Sequence, residues 1–324
     1  NPPQLQKTVF CCTAADDTAL QAWAAQMQRE ITQLLTQSRI PYQTLEDKIN
    51  HSIYEVFIHP GGSHDFAFCP HCCYGAPLAS AQFQRPAVPQ AELLPVEPVH
   101  TPKVKTIDEL ASFLNISASQ TAKAVFLVAR FDRPEGHKET FVFAVIRGDL
   151  EVNEHKLMRA LGASSLRPAA EDEIRAVGAV PGFASPVGLR GVYVVADPSA
   201  SAPNLVAGAN QEDTHLRNVN LGRDYKPSLT ADFAMVQPGH PCPNCGQPLQ
   251  VVSAVPLAES SRHSPALPVT YLNPSGQQKP ASHAICEISV NGWLGAAAEA
   301  NCDPAGLCWP AALSPLDVHL VTLR

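Results

Sequence analysis

Apolar residues recur at three- and four-residue spacing across residues 16–36 (DDTALQAWAAQMQREITQLLT), at Leu20, Trp23, Ala24, Met27, Ile31, Leu34 and Leu35. That period predicts one amphipathic helix, which Asp16 or Asp17 can cap at its start. The run IYEVFI at 53–58 predicts a strand, followed by a loop at HPGGSH. Pro86, Pro89, Pro95, Pro98 and Pro102 then punctuate residues 84–102. Proline withholds a backbone donor from helix and sheet alike, so this stretch predicts a linker. A second boundary follows Lys226-Pro227 and runs to about Pro243.

Between the boundaries the pattern predicts a compact unit. It opens with a helix at 106–115 (TIDELASFLN), where Thr106 caps and Glu109 completes a capping box. Two apolar strands follow, AVFLVA at 124–129 and TFVFAVI at 140–146. Helices are expected from about Asn153 to Leu161 and near 170–177, and strands at GVYVVA (191–196) and NLVAGA (204–209). Helices and strands mix without regular βαβ alternation, which predicts an α+β domain.

Composition narrows the class. A chain of 324 residues with 45% hydrophobic content has room for two ordinary domains and is not generally disordered. No window reaches the run of about 18 apolar residues that spans a bilayer, so no membrane partner is expected. The opening NPPQLQK lacks the apolar core of a secretory signal, although a first residue other than Met allows an upstream segment. The net charge of −7 argues against a nonspecific nucleic-acid binder but leaves room for a local basic site. Of the 23 Lys and Arg, 15 lie between residues 95 and 238, so the middle unit holds most of the capacity to meet phosphate.

None of the ten cysteines falls between Ala76 and Pro241, and four form the pairs Cys69-Pro-His-Cys72 and Cys242-Pro-Asn-Cys245. A secreted disulfide framework would scatter them, so a reducing, cytoplasmic location is expected. Each pair has the spacing of a zinc knuckle that supplies two thiolates.

Five segments of the middle unit are similar, in order, to a known family: VHTPKVKTIDELASFLNISASQTAKAVFLVA, VIRGDLEVNEHKL, SPVGL, VVADPSA and VAGANQEDTHLRNVNLGRDY. They resemble the editing insertion of bacterial-type prolyl-tRNA synthetases, a fold shared with free-standing YbaK/ProX-type deacylases. The flanks resemble the same synthetase's class II catalytic domain: GGSHDFAFCPHCCYGA at 61–76, and the stretch from CPNCGQPLQ onward. The implied architecture is a YbaK-like α+β editing domain at 95–238. It is inserted into a partial class II antiparallel-sheet domain made of residues 1–94 and 239–324.

The class II portion departs from the family where ATP would be held. Ala284 to Gly292 (AICEISVNG) stands in place of the family's GCYGIGVSR, so Gly292 occupies the position of the phosphate-clamping Arg. Glycine cannot supply bidentate bonds to phosphate. Glu287 adds negative charge nearby, and LAESSRHSPA at 257–266 replaces another family segment, GHIFxLGTKYS. Nothing before Gln43 resembles motif 1 or the Arg-bearing part of motif 2, and the chain stops where an anticodon-binding domain would begin. Aminoacylation by this chain alone is therefore not expected.

The resemblance implies hydrolysis of mischarged aminoacyl-tRNA, chiefly alanyl-tRNA for proline. Lys123 matches the family's editing lysine, a charge contact to the terminal phosphate. Gly188 matches the glycine beside the scissile ester. Asp197 matches a carboxylate that orients water or the substrate amine, and Pro198 follows it where the family commonly has Arg. His215 matches the histidine that admits alanine and excludes proline. Gly208, Asn210, Asn220 and Arg223 complete the expected substrate-binding set.

The two cysteine pairs flank the insertion, so a structural zinc held by Cys69, Cys72, Cys242 and Cys245 would staple its base. The resemblance also implies a homodimer through the class II portion. Two other readings are a fragment or diverged copy of a full synthetase, and a noncatalytic tRNA-binding paralogue.

Overall fold

A computed structural model of the chain describes residues 7–14, 17–85, 90–134, 136–262, 270–314, 316 and 318. It divides into two compact units, one made of residues up to Gln84 with those from Gln237 on, the other running from Arg85 to Val236. The expected boundaries at 94/95 and 238/239 thus lie ten and two residues later than these divisions. Both units combine sheets with few helices, an α+β architecture. No described helix is long and apolar enough to cross a membrane.

The first unit is a seven-stranded sheet. Its path runs Lys7–Ala14, Ser282–Ser289, Gln250–Arg262, Ser52–Ile58, Gln43–Asp47, with His64–Phe68 branching from the long third strand and Gly75–Pro77 pairing onto His64–Phe68. Every pairing is antiparallel. The helix Asp17–Gln37 forms as its periodicity predicts, and Leu20, Ile31 and Leu35 are fully buried. Leu34 stays 48% exposed, because it sits at the edge of that stripe. Asp16 and the side chain of Asp17 lie outside the described residues, as does part of the 257–266 segment. A second helix, Val290–Ala300, packs Ala296 and Ala297 against Ile31, Leu35, Phe57 and Leu257.

The second unit holds a five-stranded mixed sheet in the order Leu229–Thr230, Tyr193–Ala196, Gly136–Arg147, Ala122–Arg133, Ser165–Pro168. Tyr193–Ala196 runs parallel to Gly136–Arg147, and the long hairpin between 122 and 147 is antiparallel. Phe143, Val145, Val194, Ala196, Ala207 and Val219 form its core. The helix Ile107–Leu114 starts on the predicted capping box of Thr106 and Glu109 and ends on Asn115 at φ 52°. The helix Glu154–Leu161 starts on Asn153, whose side chain accepts from the Lys156 N–H.

The expected linker at 84–102 is only partly one. Residues 86–89 lie outside the described residues, but Glu97–His100 is a strand paired with Thr214–Val219, beside Leu205–Gly208. It is the outer strand of that three-stranded sheet, where a proline such as Pro98 costs no ladder bond on its free side.

Candidate active site

In the second unit a cavity of about 530 Å³ is lined by Lys105, Ile107, Asp108, Leu110, Lys123, Phe126, Glu151, Gly182, Ala184, Gly208 and His215, among others. His215 projects from the strand Thr214–Val219 and is 5% exposed. Its Nδ1 shares a 2.6 Å hydrogen bond with Thr101 Oγ1, and Phe183 meets its ring edge-on at 5.5 Å. Burial holds its pKa below the ordinary histidine value, so the imidazole is neutral at pH 7. Thr101 is fully buried, and its N–H donates to the Asp213 carbonyl at 2.8 Å. That contact joins the edge strand to the turn before His215.

Lys123 lies one residue into the strand Ala122–Arg133, and its Nζ donates to Glu151 Oε2 at 2.6 Å. Glu151 is fixed from behind: its carbonyl accepts from Met235 N–H, and Asn153 N–H donates to the Phe233 carbonyl, both at 2.8 Å. Gly208 is required by crowding. A Cβ there would sit 2.2 Å from the Phe183 carbonyl group.

The remaining expected residues lie outside the cavity lining. Asn210, at φ 54°, uses its amide to grip the 183–187 loop: Nδ2 donates to the carbonyls of Ser185 and Val187, and Oδ1 accepts from Ser185 N–H. That loop leads into Gly188, whose φ of 80° favours glycine. Asn220 and Arg223 fasten the chain around them. Asn220 exchanges bonds with Asn204, and Arg223 donates to the carbonyls of Leu94 and Asn218 and to the Asp224 carboxylate.

Asp197 differs most from expectation. Its carboxylate is fully buried and receives a bidentate contact from Arg85 at 2.7 and 2.9 Å. It also accepts from the N–H groups of Ser199 and Phe233, at 2.9 and 3.1 Å. Arg85 reaches Asp232 as well, and the buried Lys156 ammonium lies 3.4 Å from Asp232 and 2.9 Å from the Ala234 carbonyl. In this structure the Asp197 carboxylate joins Arg85, at the start of the unit, to the 232–233 segment near its end. The strand before Asp197 delivers it to the sheet's end, but all of its oxygens are already taken. Pro198 fits here as the first residue of the one-turn helix that Asp197 caps.

Thr101, Glu151, Arg85, Lys156 and Asp232 carry no signal in the sequence. Each is an isolated polar residue with its partner far along the chain, and no local pattern marks it.

In the first unit the Sγ atoms of Cys69, Cys72, Cys242 and Cys245 all lie within 4.8 Å of one another. Two cross-pair contacts are 3.6 Å. Tetrahedral zinc with bonds of about 2.3 Å places its sulfurs about 3.8 Å apart, so the four thiols fit that ion. The two knuckles match in backbone: Cys73 N–H donates to the Cys69 carbonyl and Gly246 N–H to the Cys242 carbonyl, with Cys73 and Gly246 at φ 58° and 75°. Cys73 and His71 stand outside the cluster. A separate cavity of about 390 Å³ in this unit is lined by Tyr54, Glu259, Glu287 and Gly292 among others. Burial, with Glu287 adding to it, raises the Glu259 pKa above the usual carboxylate value.

Residues 101–225 match the aminoacyl-tRNA editing domain family. The chain thus carries an editing domain of that family around the Lys123–His215 cavity. Among curated proteins, the proline–tRNA ligase of Salinispora tropica is 39% identical over 274 residues, covering 83% of this chain and 46% of its own length. That of Heliobacterium modesticaldum is 37% identical over 280 residues, covering 81% and 47%. The chain is a relative of proline–tRNA ligases and spans about half the length of those it matches. The solved structure of the hypothetical protein APE2540 aligns over 44% of this chain and 92% of its own, at 21% identity and a TM-score of 0.35.

Proposed function

We propose that this chain hydrolyses mischarged aminoacyl-tRNA, alanyl-tRNA for proline in the first place, within the cavity of its editing domain. The observation that carries the reading is the meeting of Lys123 and His215 on one cavity inside the matched segment. Water adds to the ester carbonyl carbon, the bond from that carbon to the ribose oxygen breaks, and a proton passes to the oxygen. The products are free amino acid and tRNA with its ribose hydroxyl restored. An aminoacyl ester is already activated, so the site's tasks are to position it and to stabilise charge.

Lys123 supplies the cation for the terminal phosphate. Neutral, buried His215 forms a fixed wall of the acyl pocket beside Ile107 and Leu110, which suits a small apolar side chain. Gly188 lets the loop that Asn210 holds take its left-handed turn. Asn220 and Arg223 act through the local fold rather than by direct contact. The four clustered thiols serve a structural zinc, since four thiolates leave no open position for catalysis.

A second reading, part of a proline–tRNA ligase, is favoured by the names and identities of the relatives. Against it stands Gly292, three residues into the helix Val290–Ala300. A Cβ there would lie 2.8 Å from the Pro256 carbonyl oxygen and 2.7 Å from Ser289 Oγ, so a long cationic side chain has no room without local movement. We read the first unit as a class II body that no longer clamps ATP. Ester loss from alanyl-tRNA, slowed in Lys123→Ala, supports the deacylase reading, and absence of hydrolysis overturns it. ATP–pyrophosphate exchange with proline would establish the second reading instead.

A further inference from the structure

The cavity contains a charge arrangement that the hydrolytic reading does not use. Lys123 faces Glu151 across 2.6 Å, with side chains 25% and 53% exposed. A polyanionic acceptor end that engages Lys123 meets the Glu151 carboxylate beside it. The backbone that carries the carboxylate is held at the cavity, since the Glu151 carbonyl accepts from Met235 N–H and the neighbouring Asn153 N–H donates to Phe233. The carboxylate would then face the incoming phosphate at short range, which is unfavourable unless a cation joins it. An aminoacyl ester brings that cation, its α-ammonium.

We infer that Glu151 is a specificity-determining residue that receives the substrate's α-ammonium when phosphate takes Lys123, restricting the site to esters with a free α-amine. This rests on the deacylase reading and deepens it. One ion pair in the free protein is exchanged for two with substrate, so charge stays balanced throughout. A ligand carrying phosphate but no ammonium, such as an N-acylated ester or the deacylated product, leaves Glu151 uncompensated and is rejected or released. The other cavity carboxylate, Asp108, lies exposed in the first turn of Ile107–Leu114 and has no such competition with Lys123.

The test uses the full chain and two nonhydrolysable probes at pH 6.5, where an α-amine is protonated. They are 3′-alanylamino-3′-deoxyadenosine 5′-phosphate and its N-acetyl form, titrated by calorimetry. Wild type should bind the free-amine probe about fivefold tighter, the scale of one partly exposed ion pair. In Glu151→Gln the free-amine probe should weaken and the acetylated one tighten, bringing the ratio close to one, while Asp108→Asn keeps the wild-type ratio. Equal affinities in wild type, an unchanged ratio in Glu151→Gln, or collapse in Asp108→Asn overturns the inference. Turnover separates the two claims: hydrolysis of alanyl-tRNA without any amine preference refutes the role of Glu151 alone, whereas absence of hydrolysis refutes the deacylase reading.

Discussion

Replacing Asp197 by alanine should damage the stability of the editing domain more than its chemistry. The carboxylate is fully buried and serves three partners: the Arg85 guanidinium and the N–H groups of Ser199 and Phe233. Leaving a buried N–H without an acceptor costs about 1–3 kcal/mol, and losing a bond to a charged group costs a similar amount. Arg85 keeps Asp232 as a partner and is 22% exposed, so it is not stranded, and the losses overlap. We expect about 3–4 kcal/mol for Asp197→Ala and roughly half that for Asp197→Asn, which keeps one acceptor oxygen. All three tryptophans (Trp23, Trp293, Trp309) lie in the other unit, so tryptophan fluorescence reports that unit alone. Hydrogen exchange of peptides covering 140–147 and 193–200 reads the editing domain. The expected result is faster exchange there, an unmoved fluorescence transition, and residual ester hydrolysis by whatever remains folded. Exchange within about 1 kcal/mol of wild type, combined with lost hydrolysis, would show that Asp197 acts on substrate and refute the linking role.

Other outcomes follow from the same contacts. His215 has a lowered pKa from burial, so as pH falls below about 6.5 the unfolded chain takes up its proton first. Its contribution is therefore complete above that pH and declines down to the lowered native value; His215→Gln should flatten this acid-side loss in hydrogen exchange. Gly208→Ala would press a Cβ against the Phe183 carbonyl and should cost about 1–3 kcal/mol, read by the same peptides. Zinc analysis of the purified chain should give one ion per chain, falling close to zero in Cys242→Ser with an earlier tryptophan transition. Zinc content near zero in wild type would remove the metal from the account.

What could be read in the sequence was local. The capping box at Thr106 and Glu109 and the cysteine spacing each declare themselves within four residues, and the structure forms the box and gathers the four thiols. The strand Glu97–His100 was hidden because proline density argues against sheet, and only its place at an edge makes Pro98 tolerable. The strand Lys7–Ala14 was missed as well; Val9 and Phe10 are both substantially exposed, so no alternation marks it. The site divides the same way. Lys123, Gly208 and His215 share a cavity, but their partners Glu151 and Thr101 lie 28 and 114 residues away, a pairing that only the folded chain displays. For Asp197 the position after a strand is legible, while its partners Arg85 and Phe233 emerge only in the folded chain.

Ester loss from alanyl- and prolyl-tRNA for proline, incubated with the full chain and with Lys123→Ala, decides whether this cavity is a deacylase site. A deacylase gives rapid loss of the alanyl ester, spares the prolyl ester, and runs at least about tenfold slower in Lys123→Ala, as expected when a charge contact to phosphate is removed. Decay of both esters at the uncatalysed rate would contradict the deacylase reading.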